Sequence, residues 1–461
     1  MKGESPELGA VVLNALRSQL RGTTTLPGED GYAAACRVWN AAIDRRPSGI
    51  ISCADAEDVS FAIRIAADHG LRLTVRGGGH NIAGRSISDG ALLLDLSLLR
   101  NVAVNPAMKI ATVQGGALWR NVDAATAAEG LATTGGLISS TGVGGFTLGG
   151  GAGWLMRKYG LACDNVRSAG IVLPDGRFVR ASASEHEDLY WALRGGAGGL
   201  GVVTSFEYHL HPVREVFAGL VIHPADRALD VLRAFRDFAA AAPEEFCGLA
   251  VIANAPPLPF LDASWHGRPV LLLALCWCGD LAAGEREIAP LRAHGRPIVD
   301  HMGPMPYAQW QLIQDPLAPA GRCHYWKTSN FDALSESALA QIAAAGLDLP
   351  TPQSEIHVQH MGGAVARVPM DESAFGHRNA RFFVNFLGVA QSAPQMDMLR
   401  EKIRALHDRV SPEALPGTLP NFSDQDEVGE VRRFGGQHAA RIAALLCADS
   451  PYSPSPGACG V

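Results

Sequence analysis

The residues of this chain best suited to chemistry are glycines gathered around a histidine. Val75 closes an apolar stretch and is followed by Arg76-Gly77-Gly78-Gly79-His80-Asn81, and nine of the nineteen residues from Gly135 to Gly153 are glycine. Glycines at the end of a strand let consecutive backbone N–H groups converge on one concavity, which binds phosphate oxygens without cationic side chains. Two such runs suit the two sides of a diphosphate, and hence a dinucleotide. The plainer alternative is that either run is only a tight turn. A third run, Gly196-Ala197-Gly198-Gly199-Leu200-Gly201, spells G-x-G-x-x-G. A helical pattern precedes it and a strand pattern follows it, the reverse of the strand–turn–helix that a Rossmann site needs.

The elements that must hold these loops follow from periodicity. Strands are expected at 49–53, 71–75, 91–96 and 109–113, helices at 55–69 and 119–129, a hairpin at 168–180 turning at Pro174-Asp175-Gly176, a helix at 187–193 and a strand at 202–209. Beyond Pro212 glycines thin out. Apolar strands at 217–223, 247–254, 268–278, 355–361 and 381–389 alternate with helices at 225–241, 283–293, 333–345 and 394–409. The expected fold class is α+β: one domain over 1–212 bearing the glycine loops, a second over 213–415 built on an antiparallel sheet flanked by helices, and a segment 416–461 that returns to the first.

Composition narrows the class. The chain has 461 residues, 47% of them hydrophobic and 18% charged, with a net charge of −7. That suits a globular protein and argues against a nucleic-acid binder. Glycine, 51 residues, stands at roughly 11% against a usual figure of about 7%. Nine scattered cysteines argue against a disulfide framework, and Cys276 and Cys278 read as core rather than as a metal site. Neither a signal peptide nor a membrane span is evident, so a cytoplasmic protein is expected, as a monomer or homodimer without membrane or nucleic-acid partners.

The run from Val75 to Gly84 (VRGGGHNIAG) resembles the flavin-attachment loop of the berberine-bridge-enzyme-like FAD-linked oxidases, which have the vanillyl-alcohol-oxidase/PCMH-type FAD-binding fold. GVGGFTLGGGAGW at 142–154, RKYGLACDNV at 157–166, DLYWALRGG at 188–196 and GVVTSF at 201–206 are similar to further blocks of that family. So are Tyr325-Trp326-Lys327 and the stretch from Gly362 to Arg378. The nearest flavour is the bacterial branch with hydroxynicotine oxidase and polyketide-tailoring oxidases. The resemblance implies FAD bound by Arg76, Gly77, Gly78, Gly79, Asn81, Gly84, Thr141, Gly142, Gly144, Gly145, Gly149, Gly153 and Asn421, with Val202 on the adenine side. It implies a covalent bond from His80 to the flavin 8α-methyl, and a second from Cys163.

The resemblance also implies a base, and here the chain departs from the family. A tyrosine block of the family appears as Leu419-Pro420-Asn421-Phe422, and Phe422 cannot take a proton. Tyr325, His357, His360 and His377 are the other candidates. His357 and His360, three apart in a strand, should point to opposite faces, so only one of them can face a flavin. The residues after Leu445 fit nothing in the family, which suggests a divergent tail or a shifted reading frame. The expected function is oxidation of an alcohol, sugar hydroxyl, amine or secondary metabolite, with O2 as acceptor and H2O2 as product. The alternatives are a dehydrogenase using another acceptor and a flavin-loaded protein with little catalysis.

Overall fold

Burial, rather than alternation, shapes the first sheet. In the computed structural model, which describes residues 6–196, 198–424 and 436–446, its strands are β1 (Thr23–Thr25), β2 (Gly49–Ser52), β3 (Leu73–Arg76) and β4 (Leu92–Asp95), in the order β1-β2-β4-β3. β2, β4 and β3 run parallel. Every residue of β4 is buried, as expected of a strand covered on both faces. Helix α1 (Ala56–Asp68) makes the crossover from β2 to β3, and the Asp55 carboxylate caps it by accepting from the N–H groups of Glu57 and Asp58. The glycine loop at 77–79 thus leaves the carboxyl end of a parallel strand, where open sheets place their ligand crevices.

The second sheet is antiparallel: β5 (Val102–Asn105), β6 (Ile110–Gln114), β7 (Val166–Val172), β8 (Phe178–Ser182) and β9 (Val202–His209), in the order β5-β6-β9-β7-β8. Against it lie α2 (Trp119–Ala127) and α3 (Val143–Leu148). The second glycine run is therefore helical in part. Val143, Phe146 and Thr147 are buried at helical spacing and wind residues 143–148 into a turn and a half. The late helix Ala439–Leu446 also packs here, burying Ile442 and pairing Arg441 with Asp188 at 2.7 Å. The tail after 446, with Cys447 and Cys459, lies outside the described residues, as does Ala197.

The third sheet has seven antiparallel strands: β10 (Glu215–Pro224), β11 (Phe246–Asn254), β12 (Pro269–Trp277), β13 (Val299–Pro306), β14 (Cys323–Phe331), β15 (Glu355–His360) and β16 (Phe382–Ala390). Their order is β13-β10-β12-β11-β15-β16-β14. The two edge strands, β13 and β14, are those that periodicity missed; VDHMGPMP and CHYWKTSNF lack an apolar run. One face is covered by α4 (Ala228–Ala241), α5 (Leu281–Ala293), α6 (Glu336–Ala345) and α7 (Met396–Val410), around Phe235, Ile356 and Phe386. The opposite face presents Leu220, Leu249, Cys276 and Phe383 to Trp154, Leu155 and Met156. The side of this sheet on which a residue falls therefore decides whether it can meet the glycine loops.

Candidate active site

The loop after β3 borders a cleft of about 500 Å³ whose walls include Gly77, Gly78, Gly79, His80, Ser140, Leu118, Asn121, Trp39 and Ala320. Arg37, Arg76, Arg100 and Arg120 also line it, so the cleft is more cationic than bare N–H groups would make it. A separate cavity of about 360 Å³ beside Asp123 and Tyr307 involves none of the glycine-loop residues.

The glycines differ in what they do. Gly79 has φ +68 and lines the cleft; Gly145 is exposed, and a Cβ there would meet nothing within 4 Å. Gly78 and Gly142 instead press against each other, and a Cβ on Gly144 would lie 3.0 Å from the Gly115 carbonyl oxygen. A Cβ on Gly77 would lie 3.4 Å from that same carbonyl oxygen. Gly84, Gly149 and Gly153 are taken up by packing, against Ile43, Asn421 and the Gly135 carbonyl. The Thr141 carbonyl accepts from Trp119 N–H, and Asn81 Oδ1 accepts from Arg85 N–H, which fixes the bend after His80.

Three cofactor candidates are committed to the protein itself. Arg76 pairs with Asp95 at 2.9 Å, both buried, and also donates to the Ala35 carbonyl. It anchors the loop from behind, and removing one partner of such a pair costs about 3–5 kcal/mol. Asn421 donates to the Phe146 carbonyl at 3.0 Å and accepts from Gly151 N–H at 3.1 Å, clamping the end of α3. Val202 packs in the apolar core with Val172, Leu94 and Leu99.

Cys163 is fully buried among Leu155, Leu161 and Phe375 and presents no surface to a cleft. Its thiol is 3.7 Å from Asp164 Oδ1, and burial, aided by that carboxylate, raises its pKa well above the ordinary value.

His80 is well placed. Its Nε2 lies 2.9 Å from Ser140 Oγ, and its ring stacks on Trp39 with centroids 5.0 Å apart. Burial lowers its pKa to about 4, so the ring is neutral at pH 7. Trp39 also stacks on His324, at 4.1 Å. Asn40 secures the arrangement: its Nδ2 donates to the carbonyls of Ile82 and His324, and its Oδ1 accepts from His324 N–H at 2.8 Å. One buried amide therefore joins the His80 loop to β14.

Among the base candidates, sheet alternation decides. On β14, His324, Trp326 and Thr328 share the face toward the glycine domain, whereas Tyr325 faces the helices and its hydroxyl accepts from Arg404 Nε at 2.8 Å. Tyr325 is therefore out of reach. His360 also lies on the helix side, between Phe246 and Phe382, where burial pushes its pKa down to about 2. His377 is buried edge-on to Phe375. His357 shares a cross-sheet row with Asn385 and Thr328 on the domain-facing side, and its Nε2 is 2.7 Å from Glu355 Oε2. Phe422 stacks on Trp326 and packs at a tilt on Phe383, the aromatic residues bracketing that row.

Residues 47–182 match the FAD binding domain family. The chain is 26% identical over 449 residues to an FAD-linked oxidoreductase of Dictyostelium discoideum, covering 96% of this chain and 95% of that one. Residues 47–182 thus match an FAD-binding domain, and a relative that matches along nearly the whole chain is an FAD-linked oxidoreductase. It is 32% identical over 298 residues to (R)-6-hydroxynicotine oxidase of Paenarthrobacter nicotinovorans, 62% of each chain. The crystal structure of 6-hydroxy-D-nicotine oxidase from Arthrobacter nicotinovorans superposes on this chain with TM-score 0.81 at 26% identity, covering 92% of this chain and 94% of that one. Its fold is that of the PCMH-type FAD-binding proteins, and it is α+β throughout. The residues of the cleft fit FAD: it joins an open glycine loop and three further arginines, Arg37, Arg100 and Arg120, which suit a diphosphate, to a neutral histidine. Among the described residues no helix is long and apolar enough to cross a membrane.

Trp39, Asn40, Ser140 and His324 escaped sequence reading. Trp39-Asn40 lies outside any periodic element, and His324 sits in an edge strand whose pattern is polar.

Proposed function

We propose that this oxidoreductase is an oxidase carrying FAD bonded singly to His80, and that it oxidises a small alcohol, sugar, amine or related metabolite bound on the domain-facing side of β14, β15 and β16. The observation that carries the reading is the neutral His80 ring at the mouth of the glycine cleft, held through Nε2 by Ser140. When bound, FAD supplies the two-electron acceptor and passes the electrons to dioxygen, giving H2O2. The remaining work falls to the chain. Trp326, Phe422 and Phe383 form an aromatic wall against which an apolar or ring-bearing substrate packs. Thr328 donates to Asn385 Oδ1, which leaves the Asn385 amide nitrogen to bind a substrate oxygen. His357, oriented by Glu355, takes the hydroxyl proton as the C–H bond breaks. A neutral amine needs no such base, so the lack of a hydroxyl at Phe422 favours amines over alcohols.

The test is anaerobic mixing of the purified holoprotein with a panel of amines, alcohols and oligosaccharides. Bleaching of the flavin band by one of them, followed by stoichiometric peroxide on admitting air, is expected. Bleaching that air does not reverse points to a dehydrogenase. A colourless protein, or one bleached by nothing, defeats the reading.

A further inference from the structure

The smaller cavity, of about 360 Å³, opens where the two domains meet. Asp123 and Ala127 reach it from α2, Arg214 and Glu215 from the head of β10, and Tyr307 from the short helix Tyr307–Trp310 that follows β13. Asp123 is only 8% exposed. Among the described residues its carboxylate has one partner, Gln311 Nε2, which donates to Oδ2 at 3.4 Å. The same nitrogen is shared with the Gly136 carbonyl, also at 3.4 Å. Asp123 Oδ1 accepts from nothing among the described residues. Burial raises the Asp123 pKa to about 7; the Gln311 hydrogen bond opposes the rise, and the charge of Asp315 adds to it. Tyr307 is also buried, and its hydroxyl has no hydrogen-bond partner among the described residues.

We propose that this cavity is a second binding site, and that it takes a small organic amine whose ammonium group donates to Asp123 Oδ1. The inference stands apart from the oxidase reading, because the cavity shares no residue with the glycine cleft. A buried carboxylate with one long hydrogen bond is costly, and a cation with N–H donors relieves that cost. An ammonium group has three donors, so it can serve the Tyr307 hydroxyl as well as Asp123. An inorganic cation is a poorer fit. Calcium and magnesium take six or more oxygen ligands, and the described residues hold no cluster of His, Cys, Asp and Glu that could bind a metal. An anion would face the Asp123 carboxylate. Arg214 and Glu215, exposed at the rim and opposite in charge, cancel each other, which leaves Asp123 to set the preferred sign. Leu131, Val213 and Ala127 supply apolar wall for the carbon part of the ligand. The volume lies near the lower end of ligand pockets, roughly 300–1,000 Å³, and so suits a compact molecule. Because α2 belongs to the glycine-bearing domain and Tyr307 to the second, an occupant also ties the two together.

The test is calorimetric titration of the purified holoprotein with three probes of one shape: tert-butylammonium chloride, tert-butanol and sodium pivalate. The carbon bearing nitrogen in tert-butylammonium has no hydrogen, so a flavin cannot oxidise the probe and the heat reports binding alone. Tert-butylammonium is expected to bind at a site that Asp123 controls and to raise Tm by a few degrees at saturation. The alcohol and the carboxylate should bind at least about tenfold more weakly, the worth of a charge-assisted hydrogen bond. Asp123→Asn, which keeps the shape and removes the charge, should weaken tert-butylammonium by a similar factor. Ala127→Phe, at an exposed position on the cavity wall, should block it by filling the space, and it decides the matter if Asp123→Asn fails to fold. No binding of tert-butylammonium, equal binding of pivalate, or unchanged binding in either variant overturns the inference. None of these results bears on flavin bleaching by substrate, so the oxidase reading stands or falls separately.

Discussion

Gly78 and Gly142 come from loops more than sixty residues apart and meet backbone to backbone: a Cβ on Gly78 would lie 2.3 Å from the Gly142 nitrogen, and one on Gly142 would lie 2.2 Å from the Gly78 nitrogen. Neither neighbour is a flexible side chain that could move aside. This contact seams the first sheet's loop to the start of α3 and sets the depth of the cleft between them. Gly142→Ala should therefore push the loops apart at a cost of about 1–3 kcal/mol, the usual scale of overpacking. The bound flavin-to-protein ratio should fall together with Tm. Gly145→Ala, on the same run but in open space, should change Tm little.

The sides of the third sheet separate His357 from Tyr325. Tyr325→Phe removes only a hydroxyl bonded to Arg404 on the helix side. It should lower stability by about 1 kcal/mol and leave the rate of anaerobic flavin reduction within about twofold. His357→Gln should lower that rate about a hundredfold for an alcohol substrate, the lower range of general-base effects, and far less for a neutral amine. Equal losses for both substrate classes would rule out His357 as the base.

Much of this arrangement was legible in sequence because it repeats or clusters. The glycine runs declared themselves, the central strands β11, β12 and β16 read as apolar runs, and β15 carried its two histidines to opposite faces as period two requires. What escaped depends on long-range register. Tyr325 and His324 are neighbours in sequence, and only the pairing of β14 with β16 settles which of them turns toward the flavin domain. Cys163 looked chemical from its surrounding residues, and the fold buries it beside Asp164, a placement that its local sequence did not announce.

Asn40 tests the join between the domains. Its amide makes four hydrogen bonds, two of them to the backbone of His324, one to the carbonyl of Ile82 and one from Ala42 N–H. Asn40→Leu leaves those buried backbone groups without partners, at a cost of about 3 kcal/mol or more. Thermal unfolding should shift down by several degrees, and acid-stable flavin should fall because the His80 loop loses its tie. Normal flavin content would show that Ser140 and Trp39 hold His80 without Asn40.

Acid stability carries a definite sign. Burial lowers the pKa of His80 to about 4, of His324 to about 3 and of His360 to about 2, from the ordinary histidine value of 6.5. The native state thus keeps these rings neutral where the unfolded chain would protonate them. Their neutral form contributes stability that is fully present above about pH 6.5 and is lost as pH falls toward each folded value, because the unfolded state then binds more protons. At pH 5 each ring still neutral in the fold carries a penalty of about 2 kcal/mol. His360 is the cleanest probe, since it lies on the helix side between Phe246 and Phe382, away from the cleft. His360→Phe should flatten the fall in denaturation midpoint between pH 6.5 and pH 5 by about that amount while leaving flavin content unchanged. An unaltered slope would mean that His360 is protonated in the fold, contrary to its apolar surroundings.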